Sequence, residues 1–245
     1  MRAFHYKILV SSGESFKAMR RAMDELAYEA RMERGFILTA GDASNIDGKY
    51  YYVKTNKAKV IDRKTLKQVE EKSESLAECR FKLDLQHGLV GVEDRRGELN
   101  ALFEALDAMP DVGVDFADLN LNLKDLVFEL QHAYNKNEIR SIRISQYLAR
   151  ENMTSSATFK ILDVREGEKL CEKFAAQLEA VTISFKLPSG RCNFTVTKKG
   201  SLRFSDDAPQ DLIDYARAQL PRFHEAEVET AEIRDPVAAQ RKRKK

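Results

Sequence analysis

Three groups of side chains in this chain have the chemistry to hold a polyanion. Tyr50, Tyr51 and Tyr52 run into Lys54, Lys57 and Lys59, a mixture of flat π faces and ammonium groups suited to contacting phosphates, with Tyr50 and Tyr52 as candidates for stacking on bases. Lys186, Arg191 and Arg203 stand among Ser184, Asn193 and Thr195, all side chains that bond phosphate oxygens. The chain ends Arg241, Lys242, Arg243, Lys244, Lys245. The first two groups also have an ordinary reading. Alternating tyrosines in a strand place one ring in the core and the next half outside, and cations on the polar side of an antiparallel sheet serve for solvation.

Catalytic patterns are weaker. His5, His87, His132 and His224 are dispersed, and Cys79, Cys171 and Cys192 lack the close spacing of a zinc site. Gly41 to Lys49 has the look of a phosphate loop, but its glycines are too far apart and Tyr50 stands where Ser or Thr would hold magnesium. There is no Gly-x-Ser-x-Gly elbow for a nucleophilic serine. Pro110-Asp111 followed by Lys124 suggests the carboxylate and lysine of a metal-dependent nuclease, yet Asn122 occupies the place of the acid expected two residues before the lysine. The residues therefore point to a protein without catalysis, metal or cofactor.

Among 245 residues, 41 Lys and Arg nearly balance 39 Asp and Glu, so the distribution of charge says more than its sum. From 49 to 67 seven cations face Asp62 alone; from 183 to 205 five cations face no acid. The stretch 98 to 138 is acidic, from Glu98 and Glu104 to Glu129 and Glu138, and is the natural place for a protein partner to dock. Every apolar run is far shorter than the ~20 residues a membrane helix needs, and the N-terminus does not read as a signal peptide. A cytoplasmic protein with reduced cysteines is expected.

Among the elements that carry these side chains, Phe4 to Val10 reads as a strand. Phe16, Met19, Met23, Leu26, Ala27 and Ala30 then recur at helical spacing up to Gly35. Phe36 to Thr39 and Tyr50 to Lys54 read as strands joined by a tight turn at Asp47-Gly48, and the polar stretch 62 to 78 as a helix or solvated connection. Phe81, Leu83 and Leu85 pair with Leu89 to Val92 in a second hairpin; helices follow over 97–109 and from 123. Ile142 and Ile144, then Phe159 and Ile161, mark strands, and Leu170, Phe174 and Leu178 a helix over 166–179.

The plainest element is a three-stranded meander. Val181, Ile183, Phe185 and Leu187, then Cys192, Phe194 and Val196, then Leu202 and Phe204 alternate with polar residues around turns at Pro188-Ser189-Gly190 and Lys199-Gly200. A helix opens at Pro209, and beyond Pro221 the composition is that of a flexible, finally basic tail. The fold class is thus α+β, with antiparallel sheets and packed helices, the C-terminal meander being followed by a helix and a disordered tail. The units are 1–137, 138–223 and 224–245, unless the first two form one continuous domain.

Thr154 to Leu170, above all Ala157-Thr158-Phe159-Lys160-Ile161-Leu162-Asp163, resembles a strand entering a helix in the RdgC-like recombination-associated proteins of bacteria. Val181 to Asp206, with Lys199-Gly200-Ser201-Leu202-Arg203-Phe204, is similar to that family's closing strands. The resemblance covers about a third of the chain and implies non-specific binding of duplex DNA, a homodimer and regulation of DNA recombination. The leading expectation is therefore a non-enzymatic DNA-binding protein. The alternatives are a protein-interaction subunit of a phage-related or antiviral-defence assembly, docking through 98–138, and the nuclease.

Overall fold

Along Arg2–Val10 (β1), Phe4, Tyr6 and Ile8 alternate with His5, Lys7 and Leu9, so apolar side chains leave the strand on both faces. A strand of that kind belongs inside a sheet. It lies there in the computed structural model, which describes residues 1–225 apart from 62, 94–95, 110–111, 135–136, 151–152 and 189. After β1 come helix Gly13–Glu25 (α1), strands Arg34–Gly41 (β2), Asn45–Ile61 (β3), Gln68–Asp84 (β4) and Leu89–Glu93 (β5), and helix Arg96–Asp107 (α2). Strand Asp115–Asp118 (β6) and helix Leu123–Ala133 (α3) lead to strands Asn137–Arg150 (β7) and Met153–Lys160 (β8) and helix Val164–Lys173 (α4). Strands Leu178–Leu187 (β9), Gly190–Thr197 (β10) and Ser201–Phe204 (β11) and helix Gln210–Gln219 (α5) follow.

All 11 strands form one antiparallel sheet in the order β2-β3-β4-β5-β1-β11-β10-β9-β7-β8, with β6 beside the C-terminal part of β1. The architecture is α+β, and among the described residues no helix is long and apolar enough to cross a membrane. One edge of β1 pairs with β5 from Phe4 to Ile8; the other is shared between β11, from Arg2 to His5, and β6, from Lys7 to Val10.

The sheet is continuous, but its helices are not on one side. Val90 and Val92 of β5 pair with Lys7 and His5 and so share their face; there they meet Phe81, Leu83, Ile46 and the buried sides of α1 and α2. Tyr6, Phe4, Leu202 and Phe204 leave by the opposite face, into a second core with α3, α4 and α5. Each half of the sheet therefore has one covered face and one open face, and the open faces are on opposite sides. The two cores divide between Val112 and Leu119, so α3 packs with the C-terminal half, ahead of the boundary expected at 137.

The meander, α2, α3 and α5 stand where the residue pattern places them. Four expectations are corrected. The polar stretch 62–78 is neither helix nor connection from Gln68 onward: it is β4, paired with β3 without a break from Asn45↔Asp84 to Ile61↔Gln68. The turn before β3 lies at 42–44, where Asp42 Oδ1 accepts from the Ser44 and Asn45 amides at 2.7 and 2.8 Å; Asp47 and Gly48 are inside the strand. Helix α1 stops at Glu25, because Ala27 bridges to Phe36. Helix α4 ends at Lys173, and Leu178 begins β9 instead of completing a helical stripe.

Close packing holds the junction together. A Cβ on Gly91 would sit 2.4 Å from the Tyr6 ring, so glycine in β5 is what lets that ring lie flat across the neighbouring strand. In the C-terminal core, Phe194 is fully buried with its ring stacked 4.6 Å from that of Phe204 and tilted against that of Phe185 at 6.4 Å. Phe194→Ala removes the centre of that stack and is expected to cost about 3 to 5 kcal/mol in a denaturant titration. A loss below about 1 kcal/mol would contradict the packing described.

Candidate nucleic-acid interface

The two open faces of the sheet differ in how their charges are spent. On the N-terminal open face, the Glu78 carboxylate accepts from Tyr51 at 2.7 Å, Arg80 Nε at 3.0 Å and Lys49 at 3.1 Å. Lys82 lies 3.7 Å from Asp47, and Arg2 lies 3.7 Å from Glu93. A cleft of about 320 Å³ opens between this network and α5, where Arg217 approaches both Asp84 and Asp214. Almost every cation here has an acid beside it.

The C-terminal open face is different. His5 is buried, and its Nδ1 shares a 2.7 Å hydrogen bond with Ser201 Oγ across the β1–β11 pair. Around that pair lies a hollow of about 180 Å³ lined by Arg143, Thr197, Lys199 and Arg203, with Glu179 as its one acid among the described residues. Each is placed by the ladder. Arg203 faces Ala3 on one side and Thr195 on the other; Arg143 sits between the buried Ile142 and Ile144; Lys199 is in the β10–β11 turn, where Gly200 takes a φ of 72°. Among the described residues Arg143, Lys199 and Arg203 form no ion pair. The hollow is well under the roughly 300 Å³ at which small-molecule pockets begin, a size suited to a single charged group.

The other residues expected at this face have been drawn into the protein's own contacts. Lys186 binds Glu138 at 2.8 Å, and Arg140 binds the same carboxylate at 2.6 Å. The Lys186 ammonium, with the Arg140, Lys186 and Arg191 charges, holds that carboxyl below the ordinary range. Arg191 is exposed directly opposite Lys186. Ser184 is a correction: it is 1% exposed, with its hydroxyl enclosed, and cannot reach a ligand. Thr182 and Thr195 bond to each other at 2.9 Å.

Tyr50, a stacking candidate, is buried between Phe36 and Tyr52, with centroid distances of 4.7 and 5.5 Å, and presents no free face to a base. Tyr52 is half-buried against it. Lys54, Lys57 and Lys59 lie exposed on the outer part of β3, where Lys57 pairs with Glu70 of β4 at 3.5 Å. The tail Arg241 to Lys245 lies outside the described residues. The acidic stretch 98–138 does not form one surface: Asp118 pairs with Lys7, Glu129 accepts from Tyr215, and Glu138 faces β9. Of the nuclease residues, Asn122 caps α3 by accepting from the Asp125 amide, Lys124 pairs with Asp125 at 3.0 Å, and Asp111 is outside the described residues.

Sequence reasoning missed Arg143, Lys199 and His5 as members of one site. The alternation around Arg143 was a usable signal, but only the strand order brings β7, β10 and β1 to one hollow. No protein-family model matches the chain, and a search of curated proteins finds no match.

Glu78 offers a test of the locked face. Hydrogen bonds from Tyr51, then Arg80, then Lys49 pull its carboxyl down to about 2 from an ordinary 4.5. A carboxyl depressed in the folded state contributes stability that is complete above pH 4.5 and is lost as pH falls toward 2. The melting temperature of Glu78→Gln should accordingly depend less on pH than the wild type between those values. Parallel profiles would show that the three donors do not bind the charged form.

Proposed function

We propose that the protein is a non-enzymatic DNA-binding protein that holds duplex phosphates, without regard to sequence, on the open face of its C-terminal half. One observation carries this reading: Arg143, Lys199 and Arg203 converge on a hollow whose lining contains, among the described residues, a single acid, Glu179. Hydroxyls of Thr197 and Ser201 line the same hollow, and among the described residues its lining contains no Phe, Tyr or Trp. That composition suits the phosphate backbone and offers no Phe, Tyr or Trp face on which a base would stack. A face built on hydrogen-bonded strands also holds its cations at fixed spacing, which lowers the ordering cost of binding.

The segment Lys199-Gly200-Ser201-Leu202-Arg203-Phe204 supplies two of the three cations and is also part of what resembles the RdgC-like proteins. A role in DNA recombination is the corresponding biological proposal. Docking of a protein through 98–138 has less support, because the acids of that stretch are dispersed over separate elements.

The test is binding of a random-sequence duplex as a function of salt. Arg143→Ala with Arg203→Ala should weaken binding to all sequences alike and flatten the slope of log K against log salt by about 1.8, since each lost phosphate contact is worth about 0.9. Lys82→Ala, on the opposite open face, should change neither. Absence of any complex with wild-type protein at about 50 mM salt would remove the proposal.

A further inference from the structure

The β3–β4 hairpin continues far past the core. From Val53↔Leu76 to Ile61↔Gln68 the two strands pair at nine consecutive positions, a ribbon about 27 Å long at ~3.4 Å per residue. Every residue of it is exposed except Val60, which is half-buried, so neither face packs against the body of the protein. Along the shaft the charges nearly cancel, Lys54, Lys57, Lys59 and Lys72 standing against Glu70, Glu71 and Glu74. The tip is different in two respects. In sequence, the segment between the strands carries Arg63, Lys64 and Lys67 with one acid, Asp62. Beside them Ile61 is 68% and Leu66 79% exposed, and Leu66 holds a φ of 54°, a conformation that a bulky side chain seldom adopts.

Ile61 and Leu66 add nothing to either core, at the end of a ribbon that packs against no other element among the described residues, and backbone strain of this kind collects where a ligand is met. Cations on either side of an apolar tip form the arrangement that enters a DNA groove: the cations take the flanking phosphates and the apolar group wedges between base pairs. We infer that the β3–β4 ribbon is a DNA-bending arm, with Leu66 as the wedge and Arg63 and Lys67 as its phosphate clamps. The inference rests on the DNA-binding reading above and gives the protein a second contact, one that bends the duplex most readily at deformable steps such as TpA while adding little to affinity.

The test uses the full chain and a duplex of about 30 base pairs with a central TpA step and a fluorophore at each end. Wild-type protein should raise energy transfer between the ends. Leu66→Ser should abolish that rise at saturation while changing affinity by about twofold or less, and Arg63→Ala with Lys67→Ala should flatten the salt slope by about 1.8. Arg143→Ala with Arg203→Ala should weaken binding yet leave the energy transfer at saturation unchanged, which separates the arm from the sheet face. A wild-type complex whose DNA stays straight, or a Leu66→Ser complex that bends it fully, overturns the arm while leaving the sheet face standing. Absence of any complex overturns both. Sedimentation of the wild type, but not of Leu66→Ser, with phosphatidylserine vesicles would assign the tip to a membrane surface and overturn the inference.

Discussion

The pairing of β1 on both of its edges is the constraint on which the rest of the molecule depends. Its nine residues pair with β5 on one side and with β11 and β6 on the other, so among the described residues the N-terminal and C-terminal parts of the sheet meet only through it. Because successive side chains of a strand point to opposite faces, this strand serves two cores: Leu9 enters that of α1 and α2, and Tyr6 enters that of α3, α4 and α5. A shift of one residue in its register would exchange the two sets and expose both. The flat contact of Tyr6 on Gly91 fixes that register locally.

The placement of the open faces follows from the same alternation. Helices on one face of the first half and on the other face of the second leave two uncovered surfaces that face away from each other. Their compositions differ. The N-terminal one is crossed by ion pairs and by the three donors on Glu78. The C-terminal one brings His5 and Ser201 together at the centre and gathers Arg143, Lys199 and Arg203 around them. Glu138 marks the outer limit of that cationic surface, since it engages both Lys186 and Arg140.

What could be read from the residues alone tracks the contrast between the two faces of each element. The meander was legible because Phe185, Phe194 and Phe204 share a parity that no other register gives them, and α3 because Leu123, Leu126, Val127 and Leu130 share a helical face. Strand β4 was hidden because its outer part is polar on both faces, leaving no period to detect, and only its partner β3 makes it a strand. Asp47-Gly48 has turn chemistry, but Asp42 has stronger local bonds and the glycine is required where a Cβ would meet Phe81 and the Ile37 carbonyl at 2.9 Å. Long-range pairing was out of reach altogether. Nothing in the order of residues shows that Lys186 meets Glu138, that Ser184 is enclosed, or that Tyr50 is sealed between two other rings.

The central claim is that one of two open faces, and not the other, contacts DNA, and the arginine side chains of the two faces report on it separately. Titration of isotope-labelled protein with a short duplex, followed through the Nε–Hε resonances, should move Arg143 and Arg203 together at the first additions, while Arg80 and Arg217 remain in place. Movement of Arg80 and Arg217 with Arg143 and Arg203 unmoved would put the DNA on the wrong side of the sheet and contradict the account.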